Sequence, residues 1–176
     1  MSKEEKSEKN NDKLALKISL VAVLTAIVVV FTLIVRIPTS RGYLNLCDVA
    51  IFFTAFTFGP GVAFIVAGLG TAIADIVSGY AQWAIVSFIV HGSEGLVVAI
   101  IVHKAKKPFR KILGAVIGVL IVAIGYYFGG AILVNFEVAL IEVPMNLAQA
   151  GVGAVLGSLV AKAVRKAYPP IEELIN

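Results

Sequence analysis

The chain has a single cysteine, Cys47. A lone thiol excludes an intramolecular disulfide and a cysteine-based metal cluster, and among apolar neighbours such a thiol is ordinarily packing. Charge is scarce as well: 15% of residues are Asp, Glu, Lys or Arg, where a soluble domain carries about 25%. No Gly-x-x-x-x-Gly-Lys-Ser/Thr run occurs, so the chain does not itself hydrolyse ATP through that loop. No Gly-x-Ser-x-Gly elbow occurs either. Ser87 and His91 stand four apart without an oxyanion device. His103 is far from His91, and no third ligand has metal-site spacing. The expectation is therefore no enzyme, no metal and no cofactor. No internal repeat is evident, which weighs against an inverted-repeat carrier.

What the chain has is apolar sequence. Hydrophobic residues make up 59% and mean hydropathy is +0.95. Six apolar stretches follow one another: Leu14 to Val35, Cys47 to Phe58, Val62 to Val77, Trp83 to Val102, Ile112 to Val134 and Met145 to Val164. A helix needs about 20 apolar residues to cross about 30 Å of hydrocarbon. The pattern predicts an all-α membrane protein, a six-transmembrane-helix bundle, with the second segment short enough to be tilted or partly re-entrant. Residues 1–13 are nearly all polar and read as a disordered cytoplasmic tail. Residues 14–167 are the helical domain, and 168–176 a short second tail. Gly59-Pro60-Gly61 marks a turn, and Asn135, Glu137 and Glu142 fall in a loop leading over Pro144 into the sixth segment. Ala22/Ala26, Gly114/Gly118 and Gly153/Gly157 are pairs four apart, the spacing that lets membrane helices approach closely.

The basic residues fix an orientation. All of the 15 Lys and Arg residues except Arg36 and Arg41 fall on one side if the segments alternate. By the positive-inside rule both termini are cytoplasmic. These bases flank helix ends, where anionic lipid attracts them. No stacking platform accompanies them, so nucleic acid is not expected as a partner.

With that topology the polar side chains collect in the outer half. Tyr43, Asn45 and Asp48 lie where segments one and two meet, and Asp75, Ser78 and Tyr80 close segment three. Gln82 and Trp83 open segment four, Asn135 and Glu137 follow segment five, and Asn146 and Gln149 begin segment six. Ionisable groups at membrane depth usually face a cavity or a partner, so an outward pocket walled by aromatics is predicted. Other roles stay open: Tyr80 and Trp83 as interface aromatics, Asp48 as a helix cap, Asn146 as a helix-start residue. His91 and Glu94, three apart on one face, read as a mutually satisfied buried pair or the rim of the pocket floor.

Several runs carry a family likeness: Ile37-Pro38, Gly42-Tyr43-Leu44-Asn45-Leu46 with Asp48, Phe58-Gly59-Pro60, Gly68-Leu69-Gly70, Ala74-Asp75, Ser78-Gly79-Tyr80, Gly92-Ser93-Glu94-Gly95 and Asn146-Leu147-Ala148-Gln149. With Ala22 and Ala26 they resemble the substrate-binding S components of energy-coupling factor (ECF) vitamin transporters, in the riboflavin and hydroxymethylpyrimidine or pyridoxine subgroup. Cys47 stands where a glycine is expected and His91 where a lysine is frequent, and imidazole and ammonium prefer different ligand groups.

The resemblance implies a non-enzymatic binding subunit in a prokaryotic plasma membrane. Such a subunit captures a water-soluble vitamin and docks on a T component driven by two ATP-binding subunits. Ala22 and Ala26 map to its docking face. The expected substrate-binding set is Tyr43, Asn45, Asp48, Asp75, Tyr80, Gln82, Trp83, His91, Glu94, Asn135, Asn146 and Gln149. Riboflavin is the first expectation for the ligand and pyridoxine or hydroxymethylpyrimidine the next. The rival reading is a small membrane scaffold or assembly subunit whose polar residues only satisfy one another.

Overall fold

In a computed structural model, residues 3–38, 43–102 and 107–173 are described. Arg41, Gly42, His103, Lys104 and Lys106 lie outside them. Among the described residues six α-helices follow in order: α1 (Lys3–Ile34), α2 (Cys47–Thr57), α3 (Pro60–Val77), α4 (Ala84–Val102), α5 (Pro108–Leu133) and α6 (Phe136–Ala167). Five contain apolar spans of 18 residues or more, and α2 is the exception. Strands β1 (Ile37–Pro38) and β2 (Tyr43–Leu44) pair antiparallel between α1 and α2. The helices alternate in direction, so the start of α1 and the end of α6 lie at the same end of the bundle. This is an integral, multi-pass membrane protein.

Helix α2 is the centre of the bundle. Eleven residues rise only about 16 Å, too little to cross, yet all but Phe53 are buried. It packs against α1, α3, α4 and α6. Its short length is tolerated because protein surrounds it; lipid would leave its ends unsatisfied. Glycines allow the approach. A Cβ at Gly157 would sit 2.7 Å from Phe52 Cβ, and one at Gly153 would overlap Asp48 Cβ.

Three expectations change. The helix of α1 runs back to Lys3, over the segment expected to be a disordered tail: Glu and Lys are good helix formers, and propagating a helix already nucleated costs little. The segment expected as a loop, with Glu137 and Glu142, is helical, because α6 begins at Phe136 and runs through Pro144. Asn135 starts it, its Oδ1 accepting from Val138 N at 2.8 Å. Asn146 is therefore in the helix interior and starts nothing. In the 168–176 tail, Pro169–Glu173 form a 3-10 turn whose Ile171 packs on the core.

Candidate functional site

The cavity lies at the end of the bundle where the hairpin, the C-termini of α3 and α5 and the N-termini of α4 and α6 meet. Its volume is about 110 Å³. Helix α6 supplies Val138, Glu142, Asn146 and Gln149, which share one face because they are spaced by three or four residues. The same face continues into Gly153 and Gly157, so one stripe offers polar groups to the cavity and then backbone to α2.

The hairpin closes the opposite wall. Arg36 donates to Ser78 Oγ at 2.7 Å and lies 4.9 Å from the Tyr43 ring centre. Tyr43 reaches Ser78 Oγ at 3.3 Å and stacks edge-on with Tyr80 at 5.5 Å. Partial burial raises the Tyr43 phenol above its usual range, so it stays protonated and remains a donor. Gly79, at φ +82°, lets the chain leave α3 in a conformation other residues resist. Asn45 Oδ1 accepts from Cys47 N at 2.8 Å, and Asn45 N donates to Gln149 Oε1 at 2.9 Å. The first bond does the capping work expected of Asp48, which sits inside the first turn of α2 and caps nothing.

Helices α4 and α5 form the floor. Ser87 Oγ is 2.7 Å from Tyr126 OH, and the Tyr126 ring lies 6.1 Å from Trp83 and 5.5 Å from His91. Asp75 also faces Ser87. Its Oδ2 is buried with no hydrogen-bond partner. An unsatisfied buried acceptor is costly, and here a ligand donor would satisfy it.

Of the residues named from sequence, Tyr43, Asn45, Asp75, Tyr80, Trp83, Asn146 and Gln149 line the cavity. Five do not. Gln82 is exposed, in a turn that carries Trp83 inward instead. Asn135 is occupied in capping α6. Asp48, His91 and Glu94 lie beneath the floor, at most 2% exposed, because the rotation of α2 and α4 turns them toward each other. Ser87, Tyr126 and Glu142 also line the cavity and were not in the expected set. A signal for Tyr126 was present: Gly125 packs on Val90 and Gly129 on Val86, which draws α5 against α4, and a phenol within a membrane helix needs a partner.

The structure is that of a six-helix membrane bundle with an aromatic-lined cavity at one end. The profile of the ECF-type riboflavin transporter S component family matches residues 14–166, and the chain belongs to that family. It is a vitamin-binding transporter subunit and not an enzyme. An "uncharacterized protein in gap 3'region" of Pyrococcus woesei is 34% identical over 148 residues, 83% of this chain and 99% of its own length. The thiamine precursor transporter HmpT of Lactococcus lactis subsp. cremoris (strain MG1363) is 27% identical over 153 residues, 85% of this chain and 88% of its own.

Proposed function

We propose that the cavity captures a single-ring heterocyclic vitamin or vitamin precursor of the hydroxymethylpyrimidine class, for delivery through an ATP-driven T component and its two ATP-binding subunits. The cavity volume carries this reading. About 110 Å³ is well under the roughly 300–1,000 Å³ of pockets that enclose drug-sized ligands, so one aromatic ring fits with less rearrangement than three fused ones. The chemistry agrees. Trp83 and Tyr126 offer flat faces, Asp75 Oδ2 offers an unpaired acceptor, and Glu142 adds a second carboxylate. An aminopyrimidine presents donors to such groups. The relation to a thiamine precursor transporter supports the same class.

Riboflavin is the second reading, favoured by the name of the matching family. Calorimetric titration of purified protein with hydroxymethylpyrimidine, pyridoxine and riboflavin separates the two. Tightest binding of a one-ring compound supports the proposal. Submicromolar riboflavin binding with quenched flavin fluorescence, and no response to one-ring compounds, replaces it.

Capture takes place on the outer face, with the basic bundle end in the cytoplasm. Docking uses the outward face of α1. Ala22 and Ala26 are both exposed there, while Leu24 and Val28 turn inward. A tryptophan at Ala22 or Ala26 is expected to abolish uptake and leave ligand affinity within about three-fold, since bulk at a small-residue face keeps helices apart. Lost affinity in those variants would make the face part of the binding fold.

A further inference from the structure

Beneath the cavity floor the bundle holds a second polar group that the binding site does not use. Cys47, Asp48, His91 and Glu94 come from α2 and α4, and each is at most 2% exposed. Glu94 Oε2 lies 2.7 Å from His91 Nδ1. Nε2 of the same ring faces Cys47 Sγ at 3.9 Å, and Sγ lies 3.4 Å from Asp48 Oδ2. Gln149 Nε2 donates to that Asp48 oxygen at 2.7 Å.

Two carboxylate oxygens in this group, Asp48 Oδ1 and Glu94 Oε1, are buried without a hydrogen-bond partner. Asp48 Oδ1 is aimed into the group, 3.7 Å from His91 Nδ1. Among the described residues, neither Asp48 nor Glu94 pairs with a lysine or arginine; both meet His91. Two acids and one imidazole thus share a volume closed to solvent, where uncompensated negative charge is costly.

We propose that Cys47, Asp48 and His91 bind a thiophilic divalent transition ion of the zinc class, with Glu94 and Gln149 holding His91 and Asp48 in place. One ligand atom of each, with either ring nitrogen for His91, lies within 4.8 Å of the others. Zinc bonds of about 2.0–2.3 Å in a tetrahedron separate ligand atoms by about 3.3–3.8 Å. The Cys47–Asp48 distance of 3.4 Å already falls there, and the Cys47–His91 distance of 3.9 Å is just outside. Sulfur, nitrogen and oxygen together suit zinc or cobalt, and exclude the all-oxygen preference of magnesium and calcium. The carboxylate on Nδ1, leaving Nε2 for the ion, is the arrangement that orients metal-binding histidines. Binding displaces the thiol proton of Cys47 to solvent, and His91 enters as neutral imidazole.

In the sequence the His91–Glu94 pair lacks a third ligand at metal-site spacing, because the further ligands come from another helix. Helix α2 supplies two ligands, and the glycines of α6 press that helix into place.

The test uses the full chain, without a histidine tag, purified in detergent under reducing conditions and stripped with chelator. Titration with Co²⁺ should reach one equivalent, with a thiolate-to-cobalt charge-transfer band in the near ultraviolet that Zn²⁺ bleaches. Cys47→Ser, a near-isosteric change, should abolish the charge-transfer band. Glu94→Gln should keep it but weaken Co²⁺ binding about 10- to 100-fold, as for lost outer-shell partners. Zn²⁺ should raise the unfolding temperature of the unmodified protein and leave that of Cys47→Ser unmoved. Folded protein that gives no cobalt spectrum at excess Co²⁺ overturns the proposal, as does a spectrum unaltered by Cys47→Ser.

Discussion

The cavity and the sealed group beneath it are built from the same materials, acids and amides among aromatics, and differ in how their polar atoms end. In the cavity, Asp75, Glu142 and Asn146 face open volume. In the sealed group, Asp48, His91 and Glu94 face one another, at 2% exposure or less. Gln149 joins the two, lining the cavity while bonding Asp48 and the Asn45 backbone. Tyr126 is the other link, bonded to Ser87 above and stacked on His91 below. Polarity at membrane depth therefore does not by itself mark ligand contact. What matters is whether neighbouring helices leave the group a protein partner.

The comparison predicts that changes below the floor appear as stability and changes above it as affinity. His91→Leu carries the largest expected effect. It leaves two buried acids without the imidazole they share and should cost about 3–5 kcal/mol of stability, read by unfolding in detergent. Unchanged stability with lost vitamin affinity would place His91 in the site and break the comparison. Asp75→Asn should weaken vitamin binding by about 1.5–3 kcal/mol, the size of a hydrogen bond to a charged group, with little change in unfolding. Calorimetry checks this.

Gln149→Leu should affect both regions. It removes the partners of Asp48 Oδ2 and Asn45 N, so stability should fall by about 1–3 kcal/mol for the orphaned groups and affinity should fall with it. A loss in only one of the two measurements would show that Gln149 does not couple the regions. At the small end, Gln82→Ala should leave affinity within about two-fold and stability within about 0.5 kcal/mol, as for an ordinary surface change. A larger drop in affinity would mean the turn before α4 swings inward on binding.

The sequence reading put Asp48, His91 and Glu94 in the expected binding set by depth, although it also read His91 and Glu94 as a buried pair, which their 2.7 Å contact matches. Depth follows from counting along an apolar segment, and seven of the twelve residues chosen that way do line the cavity. Rotation about each helix axis does not follow from counting. Depth itself is finer than such counting resolves: Ser87, His91 and Glu94 share a face of α4, and Ser87, a turn nearer the cavity, reaches it while the others lie below its floor. Tyr126 and Glu142 stood in stretches with little to mark them, the first in an apolar helix and the second in a segment that Pro144 made resemble a loop.

By itself the sequence determined the class of the protein, its helical segments and which bundle end carries the basic charge. Hydropathy and charge act residue by residue, so their sums survive without knowledge of packing. The family likeness, too, was legible in short runs of residues. Only the tertiary structure decided which polar groups line the cavity and which are sealed away. That division depends on how closely α4, α5 and α6 press on their neighbours at Gly125, Gly129, Gly153 and Gly157, and so on partners far apart along the chain.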